Sequence, residues 1–315
     1  MCEDSPLTIP YLTLLMPIPE NQLAVWSKQG ATVTSASTHK SVENCLKNNN
    51  WKDDVRFITY LQGSYPNYTN IYGNSDVDLV VEFRSIFSKD ISKLTDVERQ
   101  IYQAKYDPAR YSLASFKEAV IRRLENCYGK QSVEVGDKAI LVKKGNGRLD
   151  CDVLVCNPYR KYSSISSFED NYVEGILFET EEQKIRVVNY PKVHLNNGSR
   201  KNSRTSSNYK PSIRVLKNIK ARMIERNYIQ KDTAPSYFLE CLLYNSDDAN
   251  YCQQTYGGIL LAILRQFKRD MESGAMSQYL VQNEQRNLFG NEMQQWNTTD
   301  AYQFVTQIIK FWNEY

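Results

Sequence analysis

The chain has 315 residues, of which 41% are hydrophobic and 12% aromatic, so it can form one large domain or two smaller ones. Its net charge is only +3, which gives no global reason to expect a nucleic-acid or membrane partner. Its apolar runs have the length of strands and fall well short of the roughly 20 residues of a membrane-spanning helix.

Seven cysteines are scattered along the chain without a CxxC pair, and only two histidines accompany them. This pattern does not favour a structural zinc site. Residues 1–6 are acidic and lack the pattern of a signal peptide. We therefore expect a cytoplasmic protein with reduced thiols, without zinc and without a membrane partner.

The first half of the chain mixes helical and strand patterns. Helical spacing is found in residues 41–47 and 111–128, residues 65–75 are rich in turn formers, and residues 88–112 are charged. Apolar runs bounded by turn residues predict strands at 55–61, 76–83, 132–135, 139–142 and 149–156.

The pattern changes after Pro158. Residues 180–210 are predicted to be rich in loops and end in the polar tract 196–209. Helices are then predicted at 211–226, 234–245, 255–273 and 299–314. We therefore predict an α+β protein in which residues 1–170 form a lobe with a small mixed sheet and an N-terminal helix, and residues 171–315 form a mostly helical lobe.

Two polar segments lie where the first two predicted strands meet. Gly63 and Ser64 follow the first strand, and Asp76 and Asp78 open the second. Side chains two residues apart in a strand share a face, and two neighbouring acids resist ionisation unless a cation lies between them. Magnesium prefers such oxygen ligands, and Ser64 offers a hydroxyl beside a glycine that permits close backbone approach. The segment predicts an anionic ligand held together with a metal.

A third acid is needed if this pair is catalytic, because two-metal phosphoryl transfer uses ions about 3.5–4 Å apart. Asp152 opens the apolar run 153–155, as Asp78 opens that of its own strand. Asp150 would share its face, but we favour Asp152 because the apolar run starts directly after it. Glu82 also shares the face of the acid pair. It either supports the site or faces solvent further along the strand.

A basic run marks the second half of the chain. No Asp or Glu occurs between Lys184 and Ile224. Lys210, Arg214 and Lys217 recur at helical spacing, so the last two share a helix face. A lysine ammonium is a common phosphate binder, so the run suggests a triphosphate site. A solvated basic face and a nucleic-acid groove are the alternatives.

The Gly-Ser pair, the Asp-x-Asp motif and Asp152 together resemble the DNA-polymerase-beta-like nucleotidyltransferase superfamily. Longer segments are similar to the bacterial cGAS/DncV-like nucleotidyltransferases (CD-NTases). These segments are 61–65, 69–72, 75–79, 152–156, 159–162, 208–211, 214–217 and 235–240. The resemblance covers about residues 40–245.

This resemblance implies a polymerase-beta-like lobe and a C-terminal helical lobe, with the active site in the cleft between them. Such enzymes join nucleoside triphosphates, ATP among them, into a cyclic di- or trinucleotide second messenger, which a downstream effector binds in anti-phage (CBASS) defence. Asp76 and Asp78 would bind both of two Mg²⁺ ions, with Mn²⁺ as an alternative. Asp152 would bind the ion beneath the attacking ribose hydroxyl.

The resemblance also implies a set of nucleotide-binding residues. They are Gln62, Gly63, Ser64, Lys217, Ser236 and Tyr237. Ser64, Lys217 and Ser236 would bind the phosphates, and Tyr237 would stack on a base, although a tyrosine in an apolar helix is more often a core residue. Animal relatives insert a zinc-binding segment that grips DNA, and this chain resembles none of it, which argues against activation by nucleic acid.

Two other functions are compatible with the motifs. The first is nucleotide transfer to RNA ends or to a small molecule, and the second is a catalytically silent nucleotide-binding module, against which the complete acid triad argues. The bases joined, the ring size, the linkage, the activation and the oligomeric state are open. Asn157 is a weak candidate for base choice, and His194 is interpreted as a lone loop histidine.

Overall fold

The fold is taken from a computed structural model that describes residues 18–30, 32–72, 76–292 and 294–315. Its helices are α1 (Glu20–Trp26), α2 (Val33–Lys47), α3 (Ser64–Asn67), α4 (Asp96–Lys105), α5 (Leu113–Tyr128), α6 (Pro191–Arg204), α7 (Tyr209–Glu225), α8 (Ser236–Tyr244), α9 (Tyr256–Ser273) and α10 (Thr298–Glu314). Its strands are β1 (Phe57–Leu61), β2 (Val77–Phe83), β3 (Ser88–Asp90), β4 (Val133–Val135), β5 (Ile140–Val142), β6 (Cys151–Ile165), β7 (Asp170–Glu179) and β8 (Arg186–Asn189).

These elements divide into two compact units. Residues 32–66 and 76–193 form what we call the sheet unit, and residues 18–30, 67–72 and 194–315 form the helical unit. The predicted α+β class, with a mixed sheet followed by a mostly helical part, is confirmed. Among the described residues, no helix combines the length and the apolar character needed to cross a membrane.

Strand β6 is the centre of the sheet. Its first part pairs with β2 in parallel and with β5 in antiparallel orientation, and its second part pairs with β3 and β7. The apolar run 153–155 forms a strand that is covered on both faces. Val153 and Val155 pack in the cluster that α2 and α5 cover, and Leu154 packs on the opposite face with residues of β7 and β8.

Helix α5 covers the sheet with an apolar stripe. Phe116, Val120 and Leu124 recur every four residues and are buried. The neighbouring α2 brings Cys45 within 6.2 Å of Cys127, measured between Cα atoms, and the two form a disulfide. The prediction of reduced thiols is therefore wrong for this pair, because the packing of the two helices brings together cysteines that are far apart in sequence.

The C-terminal helices agree with their predicted positions to within two residues. The apolar faces of α7, α8, α9 and α10 meet in one core, which includes the fully buried side chains of Phe238, Phe267, Phe304 and Trp312. This agreement is expected, because α7, α9 and α10 carry a 3.6-residue apolar period and α8 is a short apolar segment that is buried on all sides over residues 238–243.

The region 180–210 differs from its prediction. The structure places β8 and the whole of α6 within it, so the predicted loop is wrong. Helix α6 has few apolar residues, and it buries polar side chains instead, namely His194, Asn197 and Lys201. Tertiary contacts rather than apolar periodicity hold it in place.

The division into two units also differs from the predicted boundary at residue 170. That position lies at the start of β7, which pairs with β6 along most of its length. Strands β7 and β8 therefore belong with the sheet unit, and helix α1 belongs with the helical unit rather than with the sheet.

Candidate functional site

The sheet brings Asp78 and Asp152 side by side. Strands β2 and β6 run parallel with these two residues opposite each other in register, and the Val77 N–H donates to the Asp150 carbonyl at 2.9 Å. Adjacent strands lie about 4.8 Å apart, so the two half-buried carboxylates start from neighbouring backbone positions. Asp78 and Asp152, which the sequence analysis grouped although they are far apart in the chain, thus lie at the same end of two neighbouring strands.

Asp76 lies just before β2 and is exposed. Burial raises the pKa of Asp152, and the nearby charges of Asp76 and Asp150 raise it further. Negative charge is therefore concentrated where β2 and β6 begin. A cation placed there would relieve this repulsion.

Asp150 and Asp152 have different surroundings. The Lys144 N–H donates to Asp150 Oδ1 at 2.6 Å, so this carboxylate holds the turn before β6. Asp152 lies opposite Asp78. The role of Asp152 as the third acid stays a prediction, and its position opposite Asp78 is compatible with it.

The turn that contains Gln62, Gly63 and Ser64 lies directly beside Asp78. The Gln62 N–H donates to the Asp78 carbonyl at 2.9 Å. Gly63 has φ +72°, and a Cβ built on it would lie 3.0 Å from Asp78 Cγ and still closer to Oδ2. Only glycine fits this close approach without strain. Ser64 starts α3 and is half-buried.

The donor set of this acid site fits magnesium. Among the described residues, no group of three or more His, Cys, Asp or Glu side chains is arranged so that it could hold a metal ion. Its chemistry is nevertheless that of a hard cation site, because Asp76, Asp78 and Asp152 offer carboxylate oxygens and because burial and the charge of Asp76 raise the pKa of Asp152.

In the helical unit, Lys217 is buried in a polar network. Its ammonium donates to Glu240 Oε1 at 2.6 Å and to the Thr69 carbonyl and hydroxyl at 3.2 Å each. All three N–H groups of the ammonium therefore have protein acceptors. The predicted phosphate-binding role of Lys217 stays a prediction, and it requires a phosphate oxygen to replace one of these contacts.

Glu240 joins this lysine to His194. The His194 ring nitrogen Nε2 lies 3.0 Å from Glu240 Oε2, and both side chains are buried. Burial by itself raises the pKa of Glu240, but the Lys217 charge and the His194 hydrogen bond outweigh it and hold the pKa at about 2. Glu240 is thus a buried carboxylate that is ionised at neutral pH.

Ser236 and Tyr237 begin α8. Ser236 is half-buried, and Tyr237 is 38% exposed, so it is not the core residue that its apolar helix favoured. The Tyr237 ring stacks on His194, with 5.2 Å between ring centroids and 25° between planes. The stacking of Tyr237 on a base stays a prediction, and its partial exposure is compatible with it.

Sequence reasoning assigned no role to Thr69, His194 or Glu240. His194 lies in α6 and not in the loop that was predicted for it. A signal did exist for Glu240, since it is the single acid in the otherwise apolar sequence of α8, and a buried acid requires a partner. No comparable signal marks His194, because its neighbours in the network are distant in sequence.

The basic run contains no acid in its sequence, but acidic residues from other parts of the chain lie close to it in the structure. Most of its cations pair with acids outside the run: Lys184 with Glu181, Lys192 with Glu174, Lys201 and Arg204 with Asp248, Lys217 with Glu240, and Arg222 with Glu225. These pairs neutralise much of the charge that a solvated face or a nucleic-acid groove would present.

Glu82 and Asn157, two further candidates from the sequence, make side-chain contacts within the sheet unit. Glu82 is fully buried and pairs with Arg84, so it does not face solvent, and Lys192 Nζ lies 3.9 Å from it. The buried amide of Asn157 donates to the Ser88 hydroxyl at 3.0 Å and to the Pro158 carbonyl at 2.8 Å. Both residues thus have structural partners.

Known proteins resemble this chain over nearly its whole length. A family model described as the cGAS/DncV-like nucleotidyltransferase C-terminal helical domain matches residues 196–313. The cyclic nucleotide synthase CdnE01 of Staphylococcus haemolyticus is 40% identical over 95% of this chain and 100% of its own. The cyclic UMP-AMP synthase of Rhodothermus marinus is 39% identical over 94% of this chain and 98% of its own.

A solved structure agrees with these matches. The Rhodothermus marinus CdnE c-UMP-AMP synthase, determined with Apcpp and Upnpp, superposes with a TM-score of 0.85 at 38% identity and covers 95% of this chain and 98% of its own. The family resemblance inferred from the motifs is thereby confirmed. The chain belongs to the cGAS/DncV-like nucleotidyltransferases.

Proposed function

We propose that the protein joins UTP and ATP into a cyclic dinucleotide, with release of two pyrophosphates. The observation that carries the proposal is the parallel register that places Asp78 opposite Asp152, beside the Gly63–Ser64 turn. The choice of bases is supported by the similarity to the cyclic UMP-AMP synthase.

The sheet unit would supply the reacting centre. The ribose hydroxyl of one nucleotide attacks the α-phosphate of the other, a new P–O bond forms, and pyrophosphate leaves. Asp76, Asp78 and Asp152 would hold two magnesium ions, which supply charge stabilisation and make the hydroxyl more acidic. Ser64 would donate a hydrogen bond to the donor triphosphate, and a second reaction of the same kind closes the ring.

The helical unit would contribute further nucleotide-binding residues. Lys217 and Ser236 would contact phosphate oxygens, and Tyr237 would stack on a base. We further propose that the enzyme works in the cytoplasm, without zinc or activating nucleic acid, and that an effector protein binds its product in anti-phage defence.

The test uses the purified protein with all four nucleoside triphosphates and magnesium, singly and in pairs. We expect the UTP and ATP pair to yield a phosphatase-resistant product with the mass of cyclic UMP-AMP, and EDTA to abolish it. Linear, phosphatase-sensitive products or transfer to added RNA would overturn the cyclase proposal. Metal-dependent nucleotide binding without turnover would instead identify a silent module.

Two neighbouring acids give a matched test of the site. Asp152→Asn should reduce product formation by at least about 1,000-fold, since it removes a ligand on which charge stabilisation depends. It should not lower the melting temperature, because it removes a charge that burial and the nearby charges of Asp76 and Asp150 disfavour, as the raised pKa of Asp152 indicates. Asp150→Asn, two residues away, should retain activity within about threefold. Equal losses in the two variants would contradict the assignment.

A further inference from the structure

Glu240 has an unusual position for a carboxylate. It lies in the apolar helix α8 with 5% of its surface exposed. Removing a charge from water is strongly unfavourable, and only well-placed partners offset this penalty. The residues that contact Glu240 therefore indicate its function.

The two carboxylate oxygens contact different residues. Oε1 accepts from Lys217 at 2.6 Å and from the Thr69 hydroxyl at 2.8 Å, and Oε2 lies 3.0 Å from His194 Nε2. One oxygen is thus directed to the lysine that is predicted to bind phosphate. The other is directed to the ring on which Tyr237 stacks.

The contact to Glu240 fixes the orientation of His194. The other ring nitrogen, Nδ1, is buried and has no hydrogen-bond partner among the described residues. The backbone carbonyl of His194 accepts from Gln282 Nε2 at 2.8 Å. Since the ionised carboxylate is a hydrogen-bond acceptor, Nε2 carries a hydrogen and donates it to Glu240, and this contact orients the ring on which Tyr237 stacks.

The contacts of Lys217 differ in length. The bond to Glu240 is 2.6 Å, whereas both contacts to Thr69 are 3.2 Å. The longer contacts are the weaker ones, so a phosphate oxygen would replace one of the two Thr69 contacts and leave Glu240 in place. The carboxylate would then keep the ammonium directed at the incoming phosphate.

We infer that Glu240 is a positioning residue for nucleotide binding. One of its carboxylate oxygens orients the Lys217 ammonium. The other orients His194, and through it the Tyr237 ring. This inference rests on the proposed function and assigns to one buried side chain the orientation of both the phosphate-binding and the base-stacking group. The ligand that it serves is a nucleoside triphosphate.

The test measures equilibrium binding of a non-hydrolysable ATP analogue and of AMP, with magnesium, by calorimetry. Glu240→Gln keeps the side-chain shape but removes the charge, and it should weaken binding of the analogue by about tenfold or more, since a charged hydrogen bond is lost. Binding of AMP should weaken less, because fewer phosphate oxygens reach Lys217.

A control is a second buried lysine of the helical unit, whose carboxylate partner Asp248 is 38% exposed. Lys201 donates to Asp248 Oδ1 at 2.7 Å and is as buried as Lys217. Asp248→Asn removes that carboxylate and should lower stability while changing the affinity for the analogue by less than about twofold. A purely structural role for Glu240 predicts the same behaviour for both variants.

A double-mutant cycle tests whether Glu240 acts through Lys217. The loss of analogue affinity in the Lys217→Gln/Glu240→Gln double variant should be clearly smaller than the sum of the two single losses, because only the route through His194 and Tyr237 remains to be lost. Additive losses would overturn the inference, as would wild-type affinity in Glu240→Gln. If the wild-type protein itself does not bind the analogue, the proposed function fails and this inference fails with it.

A second variant keeps the test informative if Glu240→Gln does not fold. Thr69→Val removes the hydroxyl that contacts both charged groups and leaves the Lys217–Glu240 pair intact. It should weaken binding of the analogue by about threefold, because one hydrogen bond that supports the carboxylate is lost. Unchanged affinity in this variant would count against a network that positions Lys217.

Discussion

At the scale of single residues, the absence of a side chain at Gly63 shapes the acid site. The residue has φ +72°, and the Asp78 carboxylate occupies the space that a Cβ would take. The backbone conformation and the close approach each select glycine, so two independent physical constraints coincide at one position. The Gly-Ser motif in the sequence therefore reports the position of the carboxylate as well as a turn.

Gly63→Ala should both destabilise the protein and impair catalysis. The left-handed backbone costs about 1–2 kcal/mol for a residue with a Cβ. The added methyl group must also displace the Asp78 carboxylate, and such misplacement should reduce product formation by about 100-fold. Thermal unfolding and a product assay measure the two effects.

Gly147 supplies the control for this prediction. It has φ +78°, and a Cβ built on it would meet no atom within 4 Å. Gly147→Ala should therefore show the loss of stability without the loss of activity. Equal activity in the two variants would mean that the contact with Asp78 is unimportant.

At the scale of elements, helix packing joins parts of the chain that sequence patterns leave separate. The disulfide between Cys45 and Cys127 links α2 to α5 and closes a long loop, with a sequence separation of 82 residues. Helix α6 lacks an apolar stripe, so its position depends on the buried polar contacts that it makes. Neither feature could be predicted from local sequence, because both depend on which helices become neighbours.

Reduction of the disulfide should lower the free energy of unfolding by about 2–4 kcal/mol, since the cross-link restricts the unfolded chain. Denaturant unfolding with and without reductant measures the difference. The Cys45→Ser/Cys127→Ser variant should not respond to reductant, whereas Cys252→Ser, which changes an exposed free thiol, should respond as the wild type does. Alkylation of both residues in the unreduced protein would contradict the link.

At the scale of the whole molecule, charge is balanced through space rather than along the chain. The acid-free stretch of the sequence finds its counterions in residues such as Glu174, Glu240 and Asp248. The net charge of +3 therefore conceals several local ion pairs. The most buried of those described above, Lys217–Glu240, makes the stability of the molecule depend on pH.

Acid should destabilise the wild-type protein in a defined range. The pKa of Glu240 is about 2 in the folded state, below its ordinary value of 4.5. Its stabilising contribution is therefore fully present above about pH 4.5 and is lost as the pH falls towards 2. Denaturant unfolding at several pH values measures this loss.

The Glu240→Gln variant isolates the contribution of this residue. Between about pH 4.5 and pH 2, the free energy of unfolding should fall less in this variant than in the wild type, by at least about 1 kcal/mol. Glu43 and Glu181, whose pKa values lysine contacts also hold at about 2, act equally in both proteins and cancel in the comparison. Identical pH dependence in the two proteins would exclude a stabilising charge on Glu240.

The sequence by itself determined what local chemistry can determine. The period of the C-terminal helices predicted their positions, and the spacing of Asp76 and Asp78 at the start of an apolar strand indicated a cation site. Only the tertiary structure decided that Asp78 lies opposite Asp152, that α6 is a helix, and that Glu240 joins Lys217 to His194. Strand register, helix packing and buried ion pairs join residues far apart in the chain, so no local pattern encodes them.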